Sequence, residues 1–470
     1  MTGIDRIHAS VAIIGAGPAG STLACRLAAL GHDVCLIERA GFPRSRLGES
    51  LTPGIWSIAG MIGVRSAIEG AGFTRVRTVS VHWGRGEEER HDPSGRGLLV
   101  DRGRFDQLLV EQARSLGVRV LQPATVRERR QAGGEWRLKI DSTGRTIDLG
   151  ASFVADASGR AGWLPGLRRR TGPRTVALHA YWRGAGLPVT PRVEAGADAW
   201  YWSVPLPDGR CNALAFLSPR AVRAARTRAI DTLYLHIIER SRLLAACRDA
   251  TLDGRVHVVD ATPQLADDPV TPRSILVGDA ALALDPLSSS GVQKAMQNAL
   301  SGAVVVNTLL RRPELAGAAM AFHRSSLTAS SERHRAWAAS HYSTVADVRP
   351  GDFWKERASA APPTERTDEA PVDMDARATL SSRAEIVDEP CLDGDFVAVR
   401  PALRHPGLDG AVAYLGGWEL APLLRGLTPG MTPREAALAW SDRMPLPSAL
   451  AITAWLSRHG IFVPDRGPRL

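Results

Sequence analysis

Two acids and a run of small residues in the second half of the chain have the types and spacing to do chemistry. Asp279 follows Ser274 to Val277, a short apolar run that reads as a buried strand closed by Gly278. Asp285-Pro286, three serines and Gly291 then lead into a helical pattern from Val292 to about Leu310. The first amides of such a helix have no partner within it. With the helix dipole they favour negative charge directly ahead of Gly291. Asp279, at a strand end, is placed to accept hydrogen bonds from a chain of hydroxyls. A strand, turn and helix with incidental glycines would read the same way, so this segment does not decide its own role.

The N-terminus decides it. Ser10 to Ile14 form an apolar strand, followed by Gly15-Ala-Gly17-Pro-Ala-Gly20 and a helical pattern through Ala29. Gly31 ends that helix, and Val34 to Ile37 form the next strand, closed by Glu38. The first glycines permit a tight turn and close approach to a pyrophosphate, and Glu38 can bind a ribose diol. In this complete strand-turn-helix-strand setting the glycine pattern predicts a bound dinucleotide.

Composition bounds the rest. A chain of 470 residues buries a large core and predicts two or three domains. The formal net charge is +9, which suggests an acidic partner or substrate. Lys139, Lys294 and Lys355 are the three lysines; every other basic side chain besides histidine is arginine. No basic helix with interleaved aromatics is present, so nucleic acid is not expected as a partner. No apolar run reaches membrane-spanning length, and none at the start reads as a signal segment. Five scattered cysteines without CxxC spacing argue against a disulfide framework and a metal site. A reduced, cytoplasmic protein is expected.

Beyond Glu38 a polar loop carries Arg39 and Arg46, both suited to phosphates, and a Gly48-Glu49-Ser50 turn. Strand patterns follow near Thr78 to Trp83 and Gly97 to Val100. Asp101 opens a helix to about Leu116, from which Arg104 can reach back to a dinucleotide. Val118 to Leu121, Trp136 to Ile140 and Thr146 to Leu149 read as an antiparallel meander. Phe153 to Asp156 returns as a strand ending in an Asp156-Ala-Ser-Gly159 turn.

These motifs together resemble the FAD-dependent class A aromatic monooxygenases. Within that superfamily, Gly48-Glu49-Ser50 and Asp285-Pro-Leu-Ser-Ser-Ser-Gly-Val292 look most like the branch holding the flavin halogenases and the flavoproteins of tryptophylquinone biogenesis. The resemblance covers roughly residues 8 to 345. It implies an α/β, p-hydroxybenzoate hydroxylase-like fold: a Rossmann-type FAD-binding domain (1–171 and 273–345) with an interleaved antiparallel-sheet substrate domain (172–272). By it, Gly15, Gly17, Gly20, Glu38, Arg104 and Asp279 bind FAD, with Asp156 and Gly278 beside them at their strand ends. Pro286, Gly291 and Val292 face the isoalloxazine. The chemistry implied is attack of an electron-rich ring on a flavin C4a-hydroperoxide, with electrons from NAD(P)H or a separate flavin reductase.

In the substrate half, Val176 to Arg183, Ala199 to Val204 and Asn212 to Leu217 read as strands, and Ile230 to Cys247 as a helical stretch. Period two puts Trp200 and Trp202 on one face. Trp200-Tyr-Trp202-Ser-Val-Pro205 resembles the WxWxIP motif of flavin halogenases, which assigns both tryptophans, with Ser50, to the pocket wall. Packing into the core is the alternative. Flavin halogenases also carry a lysine between flavin and substrate, some tens of residues after the Gly-Glu-Ser turn. No lysine occurs from Met1 to Leu138, and arginine does not readily lose the proton that such chemistry requires. Hydroxylation is therefore favoured, with Glu49 as candidate base.

Residues 346–390 read as a linker, and 391–470 as a small, mostly α domain of winged-helix or peptide-docking type. There Phe396 to Pro401 suggests a strand, Trp418 to Leu424 a helix, and Thr432-Pro-Arg-Glu435 a capping box opening another. Leu446 to His459 forms the last helix, stopped by Gly460. The expected substrate is a tryptophan within an acidic polypeptide. The alternatives are a small phenolic, indolic or pyrrolic metabolite, hydroxylated or halogenated, a reductase of isoprenoid double bonds, and a flavin-binding scaffold without catalysis.

Overall fold

The computed structural model describes residues 5–44, 46–224, 230–359, 373–408 and 410–464. It divides into two compact units, Met1–Arg311 with Ser326–Pro362, and Arg312–Ser325 with Pro363–Leu470.

The first unit is built on a sheet whose parallel strands lie in the order Ser274–Leu276, Arg145–Asp156, Asp5–Ile14, Val34–Ile37 and Arg119–Leu121. Val34–Ile37 and Ser274–Leu276 are buried throughout, and Asp5–Ile14 over most of its second half, as strands covered on both faces require. The register aligns the carboxyl ends: Leu276 lies opposite Asp156, Asp156 opposite Ile14, Ile14 opposite Ile37, and Ile37 opposite Leu121. Gly15, Glu38 and Val277 therefore emerge along one edge, where open α/β sheets bind their ligands.

Arg119–Leu121 corrects one expectation. It joins this parallel sheet, while the meander consists of Thr125–Ala132, Glu135–Ser142 and the twelve-residue strand Arg145–Asp156. The stop at Gly117 ends a crossover helix, Arg102–Ser115, and such a crossover returns its strand parallel.

The second sheet has seven strands in the order Thr251–Asp260, Val176–Arg183, Cys211–Leu217, Ala199–Pro205, Arg192–Ala195, Thr78–Trp83 and Gly86–His91. The expected boundaries left out the last two, which lie in 1–171. Thr78–Trp83 is recruited by parallel pairing with Arg192–Ala195, a non-local contact that no local pattern announces. One face is covered by Leu233, Tyr234, Ile237 and Ile238 of a helix. The other buries Trp200, Phe216, Leu214 and Val204 with Trp83, Tyr342 and Trp354. The helix is Ile230–Ile238, shorter than expected, because the buried Glu194 carboxylate accepts from Ser241 Oγ and the Arg242 and Leu243 amides and folds the chain back.

Part of the expected linker is structured. Asp352–Ala358 is a helix that buries Phe353, Trp354 and Arg357, too short to show a period. Strand Ala378–Leu380 also falls within 346–390 and strand Glu385–Asp393 crosses its end, whereas 360–372 lie outside the described residues.

In the second unit Glu385–Asp393 and Phe396–Arg404 form a hairpin that precedes three short helices. Both halves of the Thr432–Glu435 capping box are present. Trp418 begins no helix: Gly416 and Gly417, at φ 60° and 87°, make a tight hairpin turn that pairs Leu415 with Trp418, and the helix starts at Leu420.

Candidate functional site: a dinucleotide edge beneath an aromatic sheet

At the carboxyl edge of the parallel sheet, Gly15 turns the chain at φ 99°. A Cβ there would stand 2.6 Å from the Ala157 carbonyl oxygen, and one on Gly20 would stand 1.8 Å from the Gly15 oxygen. Only glycine fits either position. Gly17 caps the helix Pro18–Ala29 without a side-chain hydrogen bond, and a Cβ on it would meet nothing nearer than Arg44 at 3.7 Å. The first amides of this helix therefore face open space, as an anion site requires. Glu38, 5% exposed, accepts from the Ala16 amide through Oε2 and the Ala40 amide through Oε1, both at 2.9 Å. That fixes the carboxylate at the helix start and leaves lone pairs for a diol.

The arginines differ from expectation. Arg39 and Arg46 are exposed, and Arg104 points outward to Glu111 at 3.6 Å. Arg44 and Arg102 turn inward instead. Arg102 binds Asp106 through Nε and Nη2 and donates to the Leu47 carbonyl, which pins the loop before Gly48. Arg44 reaches Glu38 at 3.5 Å and Asp106 at 3.7 Å, and its Nε has no partner among the described residues. The helix explains the exchange: Arg102 and Asp106 are one turn apart on the buried face, and Arg104 lies between them. That pattern was available from sequence.

Asp156 was assigned to the cofactor, but its carboxylate is fully buried and occupied. Oδ1 accepts from Ser158 N and Oγ at 3.0 and 2.6 Å, and Oδ2 from the Trp163 and Leu164 amides at 2.6 and 2.7 Å. It ties down its own loop. Gly278, at φ 61°, donates its amide to Asn298 Oδ1, and a Cβ on it would meet Ala19 at 2.7 Å. Asp279 alone of this group keeps a free aspect. Its side chain is 39% exposed and lies 3.6 Å from Arg160. Enclosure by the protein raises its carboxyl pKa above the ordinary value, against the lowering influence of Arg160 and Arg102.

Asp285 begins the last turn, with Ser289 left-handed at φ 51° before the helix Gly291–Arg311. A Cβ on Gly291 would meet nothing within 4 Å, and one on Gly48 would lie 3.2 Å from Val292, so the Gly48-Glu49-Ser50 turn abuts this helix start. Pro286 and Leu287 form a short 3-10 turn between them. Lys294, on the first turn of the helix, has its pKa lowered by desolvation and then by Arg333.

Glu49 is 4% exposed and heavily engaged. Oε1 accepts from Tyr181 O–H and Asn212 Nδ2, both at 2.9 Å, and Oε2 from the Gly48 amide at 3.0 Å. Ser50 is half-buried and pairs with Leu99. Trp200 and Trp202 do share a face, but Trp200 is only 1% exposed. It stacks on Phe216 at 3.7 Å and meets Trp83 edge-on at 6.4 Å, so it serves as core. Trp202 is half-buried against the same cluster. Trp83 and Trp354, which carry much of that cluster, were not singled out from sequence; Trp83 closes a strand whose partner is over a hundred residues away.

The glycine cradle, the uncapped helix start and the diol-binding acid fit a flavin dinucleotide. A family model described as FAD binding domain matches residues 8–311. The chain belongs to that family. Among curated relatives, a tryptophan 2-halogenase from Chondromyces crocatus is 31% identical over 64% of this chain and 61% of its own length. The match thus spans less than two thirds of that relative. The flavin-dependent halogenase armH1 of Armillaria mellea is 28% identical over 67% of this chain and 68% of its own. Among solved structures, the peptidyl tryptophan dihydroxylase QhpG, essential for tryptophylquinone cofactor biogenesis, is 29% identical with TM-score 0.71, over 97% of this chain and 100% of QhpG. The flavin-dependent halogenase CmlS covers 99% and 98% with TM-score 0.79 at 21% identity, a likeness of fold. Among the described residues no group of His, Cys, Asp and Glu is arranged to hold a metal ion, and no helix is long and apolar enough to cross a membrane.

Proposed function

We propose that this protein is an FAD-dependent monooxygenase that hydroxylates an electron-rich aromatic, namely a tryptophan side chain within an acidic polypeptide, toward a tryptophylquinone. The observation that carries the reading is the end-to-end likeness to a peptidyl tryptophan dihydroxylase at 29% identity, second unit included. Chemistry agrees with it: no lysine precedes Lys139, and Lys139 is an exposed strand residue paired with Glu128 at 3.1 Å.

Reduced FAD supplies the activation of oxygen, with NAD(P)H or a separate flavin reductase as electron source. The chain's own residues bind and orient. Gly15, Gly17, Gly20 and Glu38 hold the dinucleotide end, and Asp279 accepts from the hydroxyls of the ribityl chain. The helix start at Gly291 and Val292 offers unpaired amides to the negative edge of the reduced ring. The second sheet, stiffened by its filled aromatic core, backs the site and helps to exclude water. Glu49 fastens that sheet to the flavin turn through Tyr181 and Asn212.

A second reading, halogenation of a small aromatic, is favoured by the halogenase names among the curated relatives and by Lys294 in the first turn of the helix. One experiment separates the two. The enzyme, reduced FAD, oxygen and bromide are incubated with an acidic tryptophan-containing polypeptide encoded beside it, or with free indoles and phenols. Added oxygen at a peptide tryptophan by mass spectrometry supports the proposal. Brominated product, or turnover of free aromatics with no change in the polypeptide, refutes it.

A further inference from the structure

The turn that leads into the helix at Gly291 is braced from behind by a buried line of polar groups. Asp285, 7% exposed, accepts from the Leu287 amide at 3.0 Å and from the Tyr342 hydroxyl at 2.9 Å, both through Oδ1. Tyr342, 2% exposed, lies beneath the guanidinium of Arg357, 5.9 Å from its ring centroid. Arg357, also 2% exposed, donates to the Phe353 carbonyl at 3.0 Å and Thr175 Oγ1 at 2.8 Å, and lies 3.7 Å over the Phe353 ring. Its Nε has no partner among the described residues. Among carboxylates Asp285 acts on it most strongly, ahead of Glu356.

A buried guanidinium without a carboxylate in contact is costly and needs a use. Asp285 supplies one. Asp285 caps the 3-10 turn Pro286–Ser288 that leads into the helix at Gly291, and a carboxylate near a helix N-terminus cancels part of the positive potential there. A hydroxyl donor on that carboxylate, with a cation behind it, restores the potential. The same three groups explain why burial and Asp285 push the Tyr342 phenol well above its ordinary pKa while Arg357 pulls it down. The phenol therefore stays protonated and remains a donor.

We propose that Tyr342 and Arg357 are positioning residues that set the electrostatic potential at the flavin-edge turn by holding and neutralising Asp285. Reduction adds negative charge to a flavin at the edge this helix start serves, so the brace favours reduced over oxidised cofactor. The proposal rests on FAD binding and is independent of which aromatic is the substrate.

The test is the midpoint potential of bound FAD, with the dissociation constants of oxidised and reduced FAD measured on the full chain. Tyr342→Phe removes only the hydroxyl. It should weaken reduced FAD relative to oxidised by roughly three- to ten-fold, which is about 15–30 mV more negative for a two-electron couple. Asp285→Asn should shift the potential the other way, and in that background Tyr342→Phe should do nothing more, because the carboxylate it neutralises is gone. Arg357→Lys should hold the potential and Arg357→Met should lower it. An unchanged potential in Tyr342→Phe overturns the proposal. So does a shift of the same size with and without the Asp285 carboxylate, which would mark a merely structural role.

Discussion

Replacing Asp156 by alanine separates a loop clamp from a cofactor ligand. Its carboxylate is fully buried and accepts four hydrogen bonds, two of them from the backbone amides of Trp163 and Leu164. In Asp156→Ala those amides lose their acceptor, at about 1–3 kcal/mol each for a buried donor left unmade. The Ser158 pair, partly able to turn to water, adds about 1 kcal/mol. The expected loss is about 3–7 kcal/mol, a large share of a typical stability of about 5–15 kcal/mol. Asp156→Asn keeps one oxygen but turns an NH2 group toward one pair of donors, so it should lose about half as much. The assay is urea unfolding of the protein stripped of FAD, followed by tryptophan fluorescence. Stability within about 0.5 kcal/mol of wild type, the range of a bland surface change, with FAD affinity reduced, would refute the clamp and restore the carboxylate to the cofactor.

Other outcomes follow from single positions. Asp279→Ala should weaken FAD retention about ten-fold or more, the loss of a charge-assisted contact of about 1.5–3 kcal/mol, read by flavin fluorescence on titration. Gly20→Ala places a methyl 1.8 Å from the Gly15 oxygen, so the turn must open; FAD binding should fall further than in Asp279→Ala. His179 is 6% exposed and its pKa is lowered from 6.5 to about 4, first by burial and then by His257 stacked on it at 5.0 Å. The folded state thus binds fewer protons than the unfolded chain between these values, so stability should fall as pH drops from about 6.5 to about 4, by up to about 3 kcal/mol. His179→Gln should flatten that window in pH-dependent unfolding.

What the sequence disclosed, and what it hid, divides by the range of the interaction. The strand Asp5–Ile14, the glycine turn, the helix Pro18–Ala29 and Glu38 lie within a few dozen residues, and their spacing carries their meaning. The Thr432–Glu435 box is equally local and was read in full. Helix period puts Arg102 and Asp106 on the buried face and Arg104 on the other, a signal of face that the reach of a side chain alone does not carry. Thr78–Trp83 and the helix Asp352–Ala358 were out of sight for a different reason. Each gains its place from partners far along the chain, Arg192–Ala195 for one and the Trp83–Trp200 cluster for the other. Trp200 shows the remaining difficulty: period two gives its face, but only packing shows that the face is filled.

Glu49 joins the two layers of the first unit. A general base needs a lone pair directed at the substrate and freedom to change charge. Both hydrogen bonds that Oε1 accepts come from the second sheet, 132 and 163 residues away, and Oε2 is held by the turn's own Gly48 amide. Each contact crosses from one layer to another or closes the turn, and none leaves the carboxylate loose. Its position between Gly48, which abuts Val292, and the Tyr181–Asn212 pair makes it a tie between the Gly48 turn and the second sheet. In a reaction whose hard chemistry belongs to the cofactor, the distance between ring and flavin is what the protein controls. A buried carboxylate held on both oxygens and spanning the two layers is built to fix their separation, not to move a proton.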